Sequence, residues 1–597
     1  MILPFEILLQ IAQLVPLKDL SACISVCQAW KDPFKQVLWR TISVNTQRFR
    51  YLQRYPENHH LIQALYIRLG PDAKPGTLTY IQNQLGSLKR MTLSIATDIS
   101  SFDMGIRWTT LRWLTFRMPE MSACHPTRTL VRLVKGLPCL ERLECSSSVM
   151  LTIRSFSISD LEKIHAYAPK LKHLAVTLSL DILSTKALEI LENIESSNLE
   201  ILDISILSGD LRWFVYFARK YSHLHTLRLV TSHFSSIQTT FLSETITMMT
   251  SLPTVFPLLR NVCVIGNDEA AEGMRCSLWR LCRNFKIPVK RLMNVIGSDH
   301  DNPRLSEETL EECLAVCGPT IERLVIPSTT LANNPSHFPI ILSQCTSLVD
   351  LRLVDLHSNP CYGSISLHSL LDNCPLLKRL VVQVPPLMEF DKNRNQNQHG
   401  LQDLVIACIK TTTELLHHIS LRCRNLRYLH LKDLILTGPL INGCMECDMS
   451  QINLSVLRIN GASFYEDCDR LKQRRINLCY ITCPEPIWYH RYLVVKNGYS
   501  SGAIRNLADT EADQVLSYHT SPYSHPDKLR DRNSSLDFVS QRDWHQDIPI
   551  GYVKFHFGSV SRINMTSPMH GDSLEDPEIS IVGTMEADIF TRSMSIC

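Results

Sequence analysis

The sequence predicts an α/β protein in which a short N-terminal cluster of helices precedes a right-handed solenoid of strand-and-helix repeats. Three observations lead to this prediction. A pattern of three apolar residues, spaced as apolar-x-x-apolar-x-apolar, returns along most of the chain. Helical patterns fill several of the intervals between its copies. The first 44 residues have a helical spacing of their own and do not fit the repeat.

Composition and charge restrict the class of protein. The chain has 597 residues, of which 45% are hydrophobic and 20% are charged, as in globular proteins. A formal net charge of +3 gives no reason to expect general affinity for nucleic acid or anionic membranes. The chain begins without the features of a signal peptide and contains no apolar run long enough to span a bilayer. We therefore expect a cytoplasmic or nuclear protein whose 21 cysteines are reduced.

The N-terminal 44 residues begin with a helical pattern. Its apolar positions are Ile7, Leu8, Ile11 and Leu14. Pro4 suits the first position of this helix, and Pro16 would end it. A module of this size buries too little apolar surface to be stable alone. We therefore expect it to dock against the solenoid, against another chain, or against both.

The repeat has a weak opening copy at Ile62 and twelve clear copies after it. The first apolar residues of the clear copies are Leu88, Leu111, Leu140, Leu171, Leu199, Leu224, Leu259, Ile321, Leu348, Leu377, Leu426 and Leu454. Most intervals between them are 23 to 35 residues long. The interval of 62 residues predicts a degenerate copy near residues 289–292. The interval of 49 residues is interpreted as an insertion with a polar loop at residues 391–400.

The intervals also contain helix signals. From Ser306 to Gly318 the pattern predicts a helix that Ser306 caps and that Gly318 ends in the left-handed region. Residues 160–168, 211–220 and 367–374 have similar patterns. Four cysteines lie three or four residues before a first apolar position, where a buried thiol would pack as a small hydrophobe. They are Cys317, Cys345, Cys374 and Cys423.

The N-terminal residues resemble an F-box, both in their short motifs and in the order of these motifs. These motifs are Leu3-Pro4-x-Glu6-Ile7-Leu8, Asp19-Leu20, Val26-Cys27-x-x-Trp30 and Leu38-Trp39. The repeat resembles the leucine-rich repeat, and the combination looks most like fungal members of that group. The resemblance implies a three-helix F-box at residues 1–44, a leucine-rich-repeat solenoid at 45–462 and a C-terminal region at 463–597. It also assigns binding of a linker subunit to Leu3, Pro4, Ile7, Leu8, Ile11, Val26, Cys27 and Trp30.

F-box proteins bind the S-phase-kinase-associated linker subunit of a cullin–RING ubiquitin ligase, and a downstream domain holds the target. The resemblance therefore implies the substrate-recognition adaptor of an SCF-type ligase, which is not itself an enzyme. Two alternatives stay open. One is a scaffold whose F-box binds the linker without building a ligase, and the other is an enzyme with an unrecognised C-terminal site.

In leucine-rich repeats, the strand residues between the buried positions face the concave surface, which is where we expect the target protein. The residues predicted to bind it are Arg90, Trp113, Arg142, His173, Arg228, Arg323, Arg352, Arg379, Tyr428, His430, Lys432 and Arg458. With Arg117, nine basic residues stand against three acidic ones at such positions, Glu144, Asp203 and Asp350. This surplus favours an acidic or phosphorylated target segment. The alternative is that these arginines only keep the surface soluble.

The C-terminal region is less regular. Residues 497–547 have the composition of a loop or a disordered segment, and residues 551–558 alternate as a strand would. Two interpretations of this strand stay open, a cap for the end of the solenoid and an appendage that faces the target. Cys444, Cys447, Cys479 and Cys483 have a spacing that zinc binding permits. No histidine is well placed beside them, however, and we expect neither a metal nor a cofactor.

Overall fold

The structure is a computed structural model that describes residues 3–566 with internal gaps. The gaps are residues 46–48, 71–76, 96–107, 119–125, 148–154, 192–193, 239, 267–268, 296–306, 328–336, 355–364, 384–387, 390–396, 408–409, 467–474, 484–485, 497–498 and 521–543. The chain forms two compact units, Met1–Pro288 and Val289–Cys597.

The first unit is one parallel sheet with helices between its strands. Its helices are α1 (Phe5–Leu14), α2 (Leu17–Ile24), α3 (Gln28–Arg40), α4 (Phe49–Arg54), α5 (Thr77–Gln84), α6 (Pro126–Val134), α7 (Ile158–Tyr167), α8 (Thr185–Leu191), α9 (Trp213–Lys220), α10 (Leu242–Thr250) and α11 (Glu269–Phe285). Its strands are β1 (Thr41–Asn45), β2 (Ala64–Leu69), β3 (Arg90–Ile95), β4 (Trp113–Met118), β5 (Arg142–Ser147), β6 (Ser155–Phe156), β7 (His173–Leu180), β8 (Ile201–Asp210), β9 (Thr226–Gln238) and β10 (Asn261–Ile265). Except for the short β6, which pairs with β7 alone, the strands pair in chain order.

The second unit continues the same strand-and-helix alternation. Its helices are α12 (Glu307–Cys317), α13 (Phe338–Leu342), α14 (Leu367–Asn373), α15 (Thr413–Arg422) and α16 (Asp509–Thr520). Its strands are β11 (Arg291–Val295), β12 (Arg323–Pro327), β13 (Asp350–Val354), β14 (Ile365–Ser366), β15 (Arg379–Gln383), β16 (Met388–Glu389), β17 (Asp403–Ala407), β18 (Lys410–Thr412), β19 (Tyr428–Lys432), β20 (Ile435–Gly438), β21 (Cys444–Asn460), β22 (Ser463–Glu466), β23 (Arg475–Ile476), β24 (Leu478–Thr482), β25 (Ile487–Lys496), β26 (Tyr499–Asn506) and β27 (Tyr552–Thr566).

The main sheet of the second unit is parallel through β11, β12, β13, β15, β17, β19 and β21. A second ladder joins β18, β20 and β22, and β14 pairs with β16. The prediction of N-terminal helices followed by a strand-and-helix repeat is therefore confirmed. The repeat exists because its apolar positions are the core: Leu114 and Phe116 of β4, like Leu351 and Leu353 of β13, are completely buried.

The two long intervals of the repeat have different outcomes. A strand, β11, lies where the degenerate copy near residues 289–292 is predicted. The interval of 49 residues is more than an insertion, because it contains the strand β17. Leu401, Leu404 and Ile406 are a complete and buried copy of the pattern, and they divide the interval into 24 and 25 residues. Residues 391–396 of the predicted polar loop lie outside the described residues.

The helix predicted from Ser306 to Gly318 is present as α12, but its end is different from the prediction. Gly318 does not have a positive φ and instead begins a 3₁₀ turn, Gly318–Thr320. A Cβ at this position would lie 2.9 Å from the backbone oxygen of Gln344, so glycine is required by the close approach of the next repeat. Ser306, the predicted cap, lies outside the described residues.

The four cysteines at the ends of the repeat helices are buried, as predicted. Cys317, Cys345, Cys374 and Cys423 are each at most 2% exposed. Burial raises the pKa of Cys345, Cys374 and Cys423 to about 12, so these thiols are neutral at physiological pH. In five copies of the first unit the position three residues before the repeat holds a larger apolar group, which is Leu85, Trp108, Leu137, Tyr221 or Phe256, whereas two other copies have Ala168 and Ser196 there. The larger groups fill the same place in the core.

The C-terminal part of the chain has more structure than its composition indicates. The segment interpreted as loop or disorder contains β26 and α16, while residues 521–543 lie outside the described residues. The strand predicted at residues 551–558 is present and longer, as β27. It pairs in parallel with β21 on one side and with β24 on the other, and β25 and β26 follow in antiparallel order.

A partly buried polar network joins α7 and α9 in the first unit. The carboxylate of Glu162 accepts hydrogen bonds from the Tyr216 hydroxyl at 2.8 Å and from the Lys220 ammonium at 2.7 Å. Next to it, Nε2 of His165 lies 3.0 Å from the hydroxyl of Tyr221. The pairing satisfies groups that would otherwise be costly to bury.

His165 makes stability depend on pH. Burial, and after it the charge of Lys220, lowers the pKa of His165 from 6.5 to about 3. Below pH 6.5 the unfolded chain therefore gains a proton at this residue that the folded chain does not bind, so stability falls as the pH falls from 6.5 towards 3. We expect this residue to lower the free energy of unfolding by about 2 kcal/mol between pH 7 and pH 5.

Denaturant unfolding at the two pH values measures this loss. His165→Gln should reduce it by that amount, whereas His223→Gln, at an exposed position, should keep the wild-type difference. The same pH dependence in His165→Gln and wild type would contradict the assignment.

Candidate interaction surfaces

The N-terminal module has a core and an exposed apolar face. Its core is Leu8, Ala12, Leu20 and Phe34. Trp30 packs against this core and stacks on Phe34, with 4.8 Å between the two ring centres. The large hydrophobic residues that remain exposed are Leu3, Phe5, Ile7, Leu14, Leu17 and Val26, at 41 to 86%. Ile7 and Leu14, seven residues apart, lie on one side of α1, away from the buried Leu8 and Ala12. Leu3 precedes α1 and Phe5 begins it, whereas Leu17 begins α2 and Val26 follows α2. We call these six residues the apolar stripe.

The residues assigned to linker binding lie partly on this stripe. Leu3, Ile7 and Val26 belong to it, and Pro4 and Cys27 are also exposed. The other three differ, as Leu8 is 2% exposed in the core and both Ile11 and Trp30 pack against that core. The structure therefore places Leu8 where it supports the module rather than where it could touch a partner. The exposed Phe5, Leu14 and Leu17 were not among the assigned residues.

The module is joined to the sheet without a connecting loop. Helix α3 ends at Arg40, and β1 begins at the next residue, Thr41. The Arg40 carbonyl accepts a hydrogen bond from the backbone N–H of Gln63 at 3.0 Å, and β1 then pairs with β2. Residues 41–45 are thus the first strand of the sheet, a few residues before the predicted start of the solenoid.

The residues between the buried positions of each strand form rows across neighbouring strands, which we call the strand face. In the first unit one row runs through Arg90, Trp113, Arg142 and His173, which are paired in register. The guanidinium carbons of Arg90 and Arg142 lie 3.7 and 4.1 Å from the ring centre of Trp113. The two cations and the indole therefore form a stack, in which each cation is attracted by the π electrons.

Farther along the first unit, the strand face contains an internal ion pair. Arg228 on β9 is 5% exposed and donates to Oδ2 of Asp203 on β8 at 2.9 Å. Burial acts to lower the pKa of Arg228, but the attraction of Asp203 outweighs it, and the pKa is raised. Burial raises the pKa of the neighbouring Cys263 thiol to about 12. Arg228 is thus engaged within the fold.

In the second unit, acidic residues of the strand face bind the predicted arginines. Asp350 is 5% exposed and lies 2.9 Å from Nε of Arg323, 3.2 Å from Nη2 of Arg352 and 3.6 Å from Nη1 of Arg379. Arg379 also contacts Asp403 at 3.0 Å. This part of the strand face is therefore largely neutralised by its own carboxylates.

Asp403 is not among the residues predicted from the sequence, because its strand lies in the interval interpreted as an insertion. The signal was present, since Asp403 stands between Leu401 and Leu404 as Arg379 stands between Leu377 and Leu380. Register then places Asp403 beside Arg379 on the neighbouring strand.

The last strands of the repeat carry another part of the predicted set. His430 and Arg458 are paired in register and are 5% and 6% exposed, with Tyr428 and Lys432 on the same strand as His430. Burial, followed by the charges of Arg458 and Lys432, lowers the pKa of His430 from 6.5 to about 4. His430 is therefore neutral at pH 7, and its ring nitrogens have no hydrogen-bond partner within the described residues.

The cysteines considered for zinc do not form a metal site in the part of the chain that the structure describes. Cys447 and Cys479 are buried, Cys444 and Cys483 are half-buried, and no group of three or more potential ligands is arranged around a common point there. Burial raises the pKa of Cys447 and of Cys479, which favours neutral thiols.

Comparison with known proteins identifies the N-terminal module. Residues 1–45 match the F-box-like family, so these residues form an F-box-like domain. No curated protein matches the chain. Among solved structures, an internalin from Listeria monocytogenes is similar, at 14% identity and a TM-score of 0.26, over 76% of this chain and 94% of that chain. A similarity this loose adds nothing to the strand pairing described above.

An F-box-like domain followed by strand-and-helix repeats is the architecture of a protein-interaction adaptor and is typical of non-enzymatic proteins. Such repeats bind protein targets, and F-box domains bind linker subunits. Among the described helices, none has the length and apolar character needed to cross a membrane.

Proposed function

We propose that this chain is the substrate-recognition adaptor of an SCF-type cullin–RING ubiquitin ligase. In this role the F-box-like domain binds the S-phase-kinase-associated linker subunit, and the strand face binds a target protein. The observation that carries the proposal is the apolar stripe, which leaves large hydrophobic side chains exposed on a module that matches the F-box-like family. Exposed apolar surface of this kind marks a site of protein contact.

The chemistry of the ligase would belong to the partner subunits. This chain contributes proximity, because a target held on the strand face has a high effective concentration near the conjugating enzyme. The ion pairs of four arginines support the idea that many side chains of the strand face are held in place before a target binds. These arginines are Arg228, Arg323, Arg352 and Arg379. A preorganised surface loses less entropy when a target binds.

Affinity capture of the full-length chain, with the proteasome inhibited, tests the proposal. The adaptor predicts that both the linker subunit and a cullin are recovered, together with ubiquitin-modified protein. Recovery of the linker without a cullin would instead indicate a scaffold that does not build a ligase. If purified chain and linker subunit elute separately when mixed at micromolar concentration, the proposal is wrong.

A further inference from the structure

The basic residues of the strand face are of two kinds. Five of them, which the sequence predicts as target-binding, have a carboxylate of the same face as partner: Arg142, Arg228, Arg323, Arg352 and Arg379. Arg90 is different, because its side chain is exposed and forms no ion pair or hydrogen bond with any residue that the structure describes. Within the described residues, its charge interacts with the Trp113 ring and is not compensated by a carboxylate.

Arg90 is nevertheless held in place. Its guanidinium lies over the Trp113 ring at 3.7 Å, and Arg142 covers the ring from the neighbouring strand on the other side at 4.1 Å. Contact through the flat face of a guanidinium leaves the N–H groups at its edge available to an acceptor. An arginine that is already positioned loses less side-chain entropy when an anion binds.

The acidic residue of β5, two strands away, is already bound to other side chains. Glu144 is 3% exposed, and its Oε1 accepts a hydrogen bond from Nε of Arg142 at 2.6 Å. Its Oε2 accepts one from the Thr115 hydroxyl at 2.9 Å. On the same strand as Trp113, Arg117 is exposed and adds a second cation that has no ion pair within the described residues. This area therefore keeps a positive charge.

We infer that Arg90, positioned by Trp113, is a subsite for an oxyanion carried by a bound protein segment, either a phosphoryl group or a carboxylate. The inference rests on the proposed function of the strand face and narrows it to β3 and β4 of the first unit. Arginine binds both groups through two parallel N–H donors. The arginines around Asp350 are structural in this view, because their charge is already compensated.

The test measures binding of the full-length chain to three immobilised libraries of random 12-residue peptides, whose central residue is phosphothreonine, glutamate or threonine. We expect binding to one or both anionic libraries, and we expect Arg90→Ala to weaken it about tenfold, as the loss of one charge-assisted pair does. Preference for phosphothreonine over glutamate would identify the phosphoryl group, and equal binding of both would identify a general carboxylate or phosphoryl site.

Arg112→Ala is the matched control. Arg112 is adjacent to Trp113 in the chain, its side chain is 62% exposed, and it pairs with Glu141 at 3.4 Å. The substitution removes the same charge one residue before β4, from a side chain that pairs with Glu141 instead of lying over the Trp113 ring. It should leave peptide binding unchanged. Equal losses of peptide affinity in Arg90→Ala and Arg112→Ala would mean that the peptides respond only to the general positive charge of the surface. The inference would then be wrong.

Two further variants separate position from charge. Arg90→Lys keeps the charge but loses the planar fork, and Trp113→Leu keeps Arg90 but removes its support, so both should weaken binding several-fold. Circular dichroism and co-elution with the linker subunit show whether each variant is folded. If the linker still binds and no variant changes peptide binding, the subsite is refuted while the adaptor proposal stands. Equal binding to the threonine library would refute the subsite as well.

Discussion

Replacing Ile7 with glutamate is expected to abolish binding of the linker subunit while the chain remains folded. Ile7 is 41% exposed on α1 and lies on the apolar stripe, so its loss removes no core contact. A carboxylate at this position would have to be buried in an apolar interface without a partner, which costs several kcal/mol. Titration calorimetry with purified linker subunit should show at least about a hundredfold loss of affinity.

Two variants of the same helix control this experiment. Gln13→Glu adds the same charge at an exposed position away from the stripe and should bind as the wild type does. Leu8→Glu places the charge in the core, where Leu8 is 2% exposed, and should unfold the module as seen by loss of helical signal. Wild-type affinity in Ile7→Glu would show that the linker does not bind this face.

Ending the chain at residue 551 is expected to unfold the C-terminal part of the second unit. This truncation removes β27, which pairs with β21 from Cys444 to Asn460 and also with β24. It removes Val553, Phe555 and Phe557, which are at most 3% exposed. Losing one buried phenylalanine side chain costs about 3–5 kcal/mol, so losing two with their strand approaches the whole stability of a domain.

A chain that ends at Thr566 is the control, because it keeps the whole of β27. Soluble yield, thermal unfolding and limited proteolysis should be close to those of the full-length chain. The shorter chain should instead be digested within β21 and β24 and should aggregate, because a long strand edge is left unpaired. Unchanged thermal unfolding in the shorter chain would mean that β27 is not part of the cooperative unit.

The sequence alone predicts the repeat well, because each copy must bury the same apolar positions. The pattern locates β11 in spite of a weak copy, and it marks Cys345 and Cys374 as core residues. The copy at Leu401 was missed because a polar run precedes it, although its own spacing is complete.

The candidate surfaces were less predictable, because they depend on which strands are neighbours. A surplus of arginine can be counted from sequence, but the compensation of Arg379 by Asp350 and Asp403 requires the strand register. Similarly, motif matching could not separate the exposed Ile7 from the buried Leu8, since the two differ only in which side of α1 they occupy. Nor does any local pattern show that β27 returns to lie between β21 and β24.

The direct passage from α3 into β1 gives the molecule a stiff joint where many modular proteins have a tether. If the first helices bind a ligase, a target protein on the adjoining strands is held at one fixed distance and angle from that ligase. The position of each lysine of the bound target, more than the sequence around that lysine, would then decide whether it is modified. Inserting a few flexible residues after Arg40 would let the distance between the N-terminal module and the strands vary. A larger set of target lysines would then be modified.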